Sequence, residues 1–392
     1  MKLRSGKFVW LLTCSLMGVF CQNLHAAESS TSSEKRAEAL PELRILVMQL
    51  GHSSFSVREN AEHQLVKQGL KAKAALQEGL EHFDLEVRSR CRGIWATIET
   101  LDFEQRMQAF IDDVDGKREH QLPGWIRFRE VVGQDRAARE MFVEMQKSEA
   151  ALMQAAEESP KAAGEMFTTI CTELQRRMFS QINFQDLTVG TTAALLFVGS
   201  DPRVQVTDQA SMLMYSLVNQ TQYRQVLAGG QQMPHAKKLL GQWVARRKSP
   251  QMAYQNMMLA MQHDLPEGLE PALSMVNDAS VHASQRAYAV VAVAKLGSKE
   301  HIPALEKLLA DASVCASYQT RDKRISTETR DVALAALVHI TNQSLPDYGF
   351  NRVQSNPQTL FYPFSLGFQD TKQRDASIAK WKKWHSEQKP KP

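Results

Sequence analysis

The residues whose types come nearest to a chemical motif are Asp113-Val114-Asp115-Gly116, which echo the start of a calcium-binding loop. Such a loop needs an oxygen ligand at its first position and a bidentate glutamate at its twelfth. Setting Gly116 as the loop glycine places Ile111 first and Leu122 last. Two essential ligands are missing, so a charged turn that ends a helix is the expected structure. Histidines such as His63 and His82 are scattered, and neither His-Glu-x-x-His nor Cys-x-x-Cys occurs. No Gly-x-Ser-x-Gly elbow, phosphate-cradling glycine loop or dinucleotide fingerprint is present. No catalytic, cofactor-binding or metal-ligating residue is assigned, and no cofactor is expected; a site converging from distant segments stays open.

Two basic clusters remain. One is Lys237-Lys238 with Arg246-Arg247-Lys248, and the other is Arg321-Asp322-Lys323-Arg324, in a long connection between Asp311 and Ser326. Extra loop length projecting from one face is where binding concentrates. A solvated loop is the expected reading of that connection, with a contribution to a site for an anionic partner as the alternative. Further on, Leu345 to Asp370 is rich in proline, glycine, asparagine and aromatics and cannot form one helix. Tyr348, Phe350, Phe361, Tyr362, Phe364 and Phe368 are expected to cap an apolar end, with a contact surface as the alternative. A last helix is expected from Arg374, with Ile378 and Trp381 on one side and Lys380, Lys382 and Lys383 on the other. Folding back onto the chain is preferred for it over lying on an anionic membrane.

The elements that must position these groups are read from a recurring register. Ser54-Phe55-Ser56-Val57-Arg58-Glu59-Asn60-Ala61 returns thirty positions later as Asp84-Leu85-Glu86-Val87-Arg88-Ser89-Arg90-Cys91. The frame returns as His282, Arg286 and Ala289, and as Ser326, Arg330 and Ala333. A serine or aspartate at the first position can cap a helix starting there. The small residue seven positions on lets a neighbouring helix approach. After Arg58, the residues Ala61, Leu65 and Val66, the break at Gly69, then Ala72, Ala75, Leu76 and Leu80 describe two amphipathic helices. The last two starts lie 44 residues apart against 30 for the first two, which makes the connection before Ser326 the longer one. Asp135 is expected to cap a helix over 136–147, and the apolar run Thr191 to Val198 to be a buried helix too short to span a bilayer. No stretch alternates as a strand does, so no sheet is indicated.

Asp84, Val87 and Arg88, and nearly as well Ser54, Val57 and Arg58, resemble the openings of HEAT repeats, within the armadillo-like superhelices. The resemblance covers roughly residues 41 to 100 and 250 to 343. It implies an all-α fold, a superhelix of helix pairs with an irregular middle and a C-terminal loop-plus-helix cap. It also implies a binding scaffold for a protein or peptide, although some lyases share the architecture. An enzyme with a site assembled between repeats is the alternative.

Lys2, Arg4 and Lys7 precede an apolar stretch from Phe8 to Phe20, and Leu24-His25-Ala26 precedes Ala27. This is the pattern of a secretory signal peptide cleaved near Ala26 or Ala27, and it places the protein in the periplasm or outside the cell. Cys14 follows Thr13 and Cys21 follows Phe20, so lipidation is not indicated. Cleavage lowers the formal charge from +4 to +1, because three basic residues leave and no acidic one does. A nucleic-acid partner and stable membrane insertion are both unexpected. Cys91, Cys171 and Cys315 remain, too few for a disulfide scaffold, and are expected inside helices as buried small residues. The expected organisation is a signal at 1–26, a linker at 27–40, HEAT-like helices at 41–111 and an irregular helical region at 112–249. HEAT-like repeats at 250–344 and an aromatic loop with a capping helix at 345–392 complete it.

Overall fold

Helix starts in the N-terminal part follow the register and are built alike. The computed structural model describes residues 40–179, 187–246, 252–319 and 324–388. The expected signal peptide, nearly all of the linker, and Arg247, Lys248, Arg321, Asp322 and Lys323 lie outside them. The chain is mostly helical and divides into two compact units, Met1–Phe110 and Ile111–Pro392.

In the first unit α1 (40–49), α2 (Phe55–Gln68), α3 (Lys73–Gly79) and the start of α4 (Leu85–Asp112) enclose a core. Leu43, Val47, Leu50, Leu65, Leu76, Ile94 and Ile98 fill it. The small residues act as expected: Ala61 and Cys91 are fully buried. A Cβ on Gly79 would lie 2.5 Å from Cys91 Sγ and 2.8 Å from Val47 Cγ1, so the close approach there leaves no room for a side chain. Each corner before a helix is closed twice over. Arg58 Nη1 donates to the carbonyls of His52 and Ser53 at 2.7 and 3.1 Å, and Arg88 Nη1 to those of His82 and Phe83 at 2.5 and 2.9 Å. The amides of Ser54 and Asp84 donate to Nδ1 of His52 and His82. The expected capping holds for Asp84, which accepts from the Glu86 amide at 2.9 Å. It does not hold for Ser54, whose hydroxyl meets Ser56 Oγ instead.

The second unit opens with α5 (Trp125–Val131), α6 (Arg136–Glu158), α7 (Pro160–Phe179), α8 (Val189–Gly199), α9 (Asp208–Val218), α10 (Thr221–Ala228) and α11 (Met233–Arg246). Asp135 caps α6 through the Ala138 amide. The apolar run forms α8, buried from Gly190 to Gly199. It packs on α6 so closely that a Cβ on Gly190 would fall 2.1 Å from the Glu144 carbonyl. Among the described residues no helix is long and apolar enough to cross a membrane.

Then come α12 (Ala253–His263), α13 (Leu269–Asn277), α14 (Ala283–Leu296), the short α15 (Ile302–Glu306), α16 (Thr329–Ile340) and α17 (Thr371–Gln388). Ala289 to Ala294 of α14 and Val332 to Val338 of α16 are buried without interruption, as helices covered on every side require. His282 caps α14 as the register expects, accepting from the Ser284 amide.

Three expectations are corrected here. Strands are present: β1 (Val314–Gln319) pairs antiparallel with β2 (Arg324–Glu328), and two residues of β3 (Ser355–Asn356) pair with β4 (Leu360–Phe361). The sequence hid β1 and β2 because a two-stranded ribbon packed at one end has no full apolar face to impose alternation. Ser326 caps no helix; it sits in β2, and α16 starts at Thr329 with Glu328 as N-cap and Asp331 completing a reciprocal cap. The last helix begins at Thr371, three residues before Arg374.

Candidate functional site

Aspartate geometry shows how the ribbon arises. Asp278-Ala279-Ser280-Val281 recurs 33 positions later as Asp311-Ala312-Ser313-Val314. Each aspartate accepts, through Oδ1, the amide of the serine two residues on, at 2.8 and 2.9 Å. After the first copy the chain enters α14 directly; after the second it runs through β1 and β2 before α16. The ribbon is an insertion at an otherwise repeated corner, a signal visible in the sequence but outside the Val-Arg register. Arg286 of α14 reaches Asp311 Oδ2 at 2.6 Å and so ties the two corners together.

Tyr318 of β1 stands opposite Ile325 of β2. Together with Phe364, Ser365, Arg352 and Gln354 of the C-terminal segment they line a cavity of about 280 Å³. Phe364 lies between two tyrosines, its ring centre 6.1 Å from Tyr318 and 5.3 Å from Tyr362, all nearly parallel. Tyr318 and Tyr362 are exposed. Gly367 lies against Ile325 and Thr327 with no space for a Cβ, and Thr327 Oγ1 bonds to the Phe364 carbonyl. Ser365 Oγ accepts from the Gln354 amide and donates to the Tyr362 carbonyl, which fixes the loop. Arg352 donates to the Gly367 carbonyl, and Arg324 to Ser317 Oγ. No described carboxylate pairs with either guanidinium. Rings and Arg352 around the hollow, with Arg324 on the other face of the ribbon, suit recognition of an extended ligand with apolar and acidic groups.

The aromatic segment therefore divides. Tyr348, Phe350, Phe361 and Phe368 are buried in the core and act as a cap, whereas Phe364 lines the cavity beside the ribbon and Tyr362 stacks on Phe364. The last helix folds back: Ile378 and Trp381 are buried, and Lys380 Nζ donates to the Asp347 carbonyl above the Tyr348 ring. Of the other basic cluster, Lys238 is committed to the Val132 carbonyl at 2.7 Å, and Arg246 is exposed at the end of α11. His63 is exposed, while His82 serves its corner. Among the described residues no group of three or more histidine, cysteine, aspartate or glutamate side chains could hold a metal ion. The three described cysteines are free and buried. Cys315 is in a strand rather than the expected helix, and burial, then Asp331, push its thiol up to about 12.

A second hollow, of about 420 Å³, is lined by His120, Glu119, Arg129, Trp125 and Glu157 among others. His120 Nε2 lies 3.0 Å from Asp113 Oδ2. Burial alone would raise the Asp113 carboxyl, but the amides of Arg118 and Lys117 together with His120 outweigh it and hold the group below its usual range. The aspartate of the calcium-like sequence is thus spent on its own turn.

No family model, no curated protein and no solved structure matches the chain.

Proposed function

We propose that the chain is an exported helical scaffold, its helix pairs stacked as HEAT-like repeats, that holds a protein or peptide partner on its C-terminal ribbon and aromatic segment. The observation that carries this reading is the exposed pair Tyr318 and Tyr362 stacked about Phe364, beside Arg352, with Arg324 on the other face of the ribbon; neither arginine meets a carboxylate among the described residues. Exposed aromatics and arginines are the residues that dominate protein interfaces. The stacking of repeats is supported by the matching corners at Arg58 and Arg88 and by the two Asp-Ala-Ser-Val corners. Export is supported by the basic, apolar and small-residue order before Ala27.

The test is cross-linked capture from a cell-envelope fraction, with wild type and Tyr318→Ala side by side. A partner held by wild type and lost by the variant is expected; no partner under several conditions counts against the reading. N-terminal sequencing of the exported protein should begin at Ala27 or Glu28.

An enzyme with its site between helices, lyase-like for example, is the second reading. One observation favours it: the His120 and Asp113 pair at the edge of a hollow lined by two glutamates and Arg129. A thermal-shift screen against small polar metabolites, repeated with His120→Ala, decides. A ligand whose stabilisation vanishes in the variant favours the enzyme, and one that stabilises both alike does not.

A further inference from the structure

The ribbon's two outer sides are unlike. Along β2 the Ser326 carbonyl lies against Gly367 and receives Arg374 Nη2, so that side is covered. Along β1, Val314, Ser317, Tyr318 and Gln319 are exposed. Edge strands are ordinarily protected by lysine, by proline, by inward charges or by bulges. β1 carries no charged residue and no proline. Its one irregularity lies between Val314 and Ala316, and pairing is regular from Ser317 to Gln319. From Ser317 to Gln319 the strand is short but carries no charge, no proline and no bulge.

What lies beside that edge decides what could use it. A strand added along β1 places every second side chain on the face that bears Tyr318 and Ile325, above the hollow closed by Phe364 and Arg352. An apolar side chain fits against those rings. Arg352 beside the hollow, and Arg324 on the opposite face of the ribbon with Ser317, are neutralised by no described carboxylate, and Arg324 favours acidic residues at the positions that alternate with the apolar ones.

We propose that β1 is a docking edge for strand addition, and that its occupant is an extended peptide segment of a partner protein bearing alternate apolar and acidic residues. This deepens the scaffold reading and rests on it. Backbone pairing along the outer edge of β1 at Ser317 and Tyr318 supplies affinity, and the Tyr318, Phe364 and Arg352 hollow supplies selectivity.

The test pans a random-peptide phage library against the full chain and measures the enriched peptides on variants. Enriched sequences should combine aspartate or glutamate with apolar residues at every second position. They should slow exchange of the β1 amide that points away from β2 in the Ser317–Tyr318 stretch, the mark of a new strand. Tyr318→Ala, and the double variant Arg324→Glu with Arg352→Glu, should each weaken binding by roughly tenfold or more. Tyr318→Phe, which keeps the ring, should bind as wild type does and controls for folding. An empty library screen, peptides without acidic residues, unchanged binding by both variants, or protection elsewhere overturns the proposal. So does binding of anionic vesicles or oligonucleotides at this edge in place of peptides. The two readings fail separately. An envelope partner retained by every variant leaves the scaffold standing without strand addition. Library peptides that dock on β1 while no envelope partner is ever captured support the edge and count against the scaffold.

Discussion

Arg374 of α17 lays its guanidinium across both carboxylate oxygens of Asp331 of α16, at 2.6 and 3.1 Å, with both side chains buried. The same arginine lies 3.1 Å from Glu328, which caps α16 and also binds Arg330. One buried cluster thus joins the start of α16, the end of the ribbon and the terminal helix. Breaking a buried ion pair from one side leaves an uncompensated charge and costs about 3 to 5 kcal/mol. Arg374→Ala is expected to lose that much stability in urea unfolding. Arg374→Met combined with Asp331→Leu should recover a large part of it, and a double variant no better than the single would contradict the account.

The two N-terminal corners should be energetically equivalent. Arg58 and Arg88 make the same pair of carbonyl bonds five and six residues back. Charge-assisted bonds of this kind contribute about 1.5 to 3 kcal/mol. Arg58→Ala and Arg88→Ala should therefore each lower the denaturation midpoint by similar amounts, Arg58 having in addition only Glu86 at 3.8 Å and the Phe55 ring. An effect at one position only would show that the shared register is not a shared structure.

Mild acid should weaken the second unit through His263. Its ring is buried with Nε2 unpartnered, and burial first, then Lys237, hold it down to about 4 from 6.5. The folded-state value lies below the unfolded one, so folding is favoured by the neutral ring and this contribution is fully present above about pH 6.5. Between about 6.5 and 4 the unfolded chain takes up a proton that the folded chain does not, and stability falls by at most about 3 kcal/mol. Thermal unfolding at a series of pH values should show that slope, and His263→Gln should flatten it.

The thiols should be silent until the chain opens. Burial pushes Cys91 up to about 11, and burial then Glu149 push Cys171 up to about 12. Thiolate is the reactive form, so a thiol-directed reagent should modify none of the three in the native protein and all three in denaturant. Fast modification of any one under native conditions would refute the placement.

Much of the helical arrangement was legible in the sequence because helices are local. Caps, glycine breaks and apolar spacing act within a few residues, which is why Asp135, Gly69 and the run through Val198 could be placed by type alone. The corner arginines were legible as a register, but their role was not: Arg58 and Arg88 turn back on their own corners, whereas Arg286 reaches forward to Asp311.

The candidate site shows the opposite case. The connection after Asp311 was recognisable as long and basic, yet only tertiary packing made it a ribbon. Phe364, Ser365 and Gly367, some forty residues on, press against one face of β1 and β2 and stabilise pairing that these short strands alone would not sustain. The same packing sorted six similar aromatics into four that fill a core and two that stack beside the ribbon. Sequence determines which residues can bury surface or carry charge, because those are properties of single side chains. Which of them meet across forty positions depends on the free energy of the whole assembled unit, and that was decided only in the folded chain.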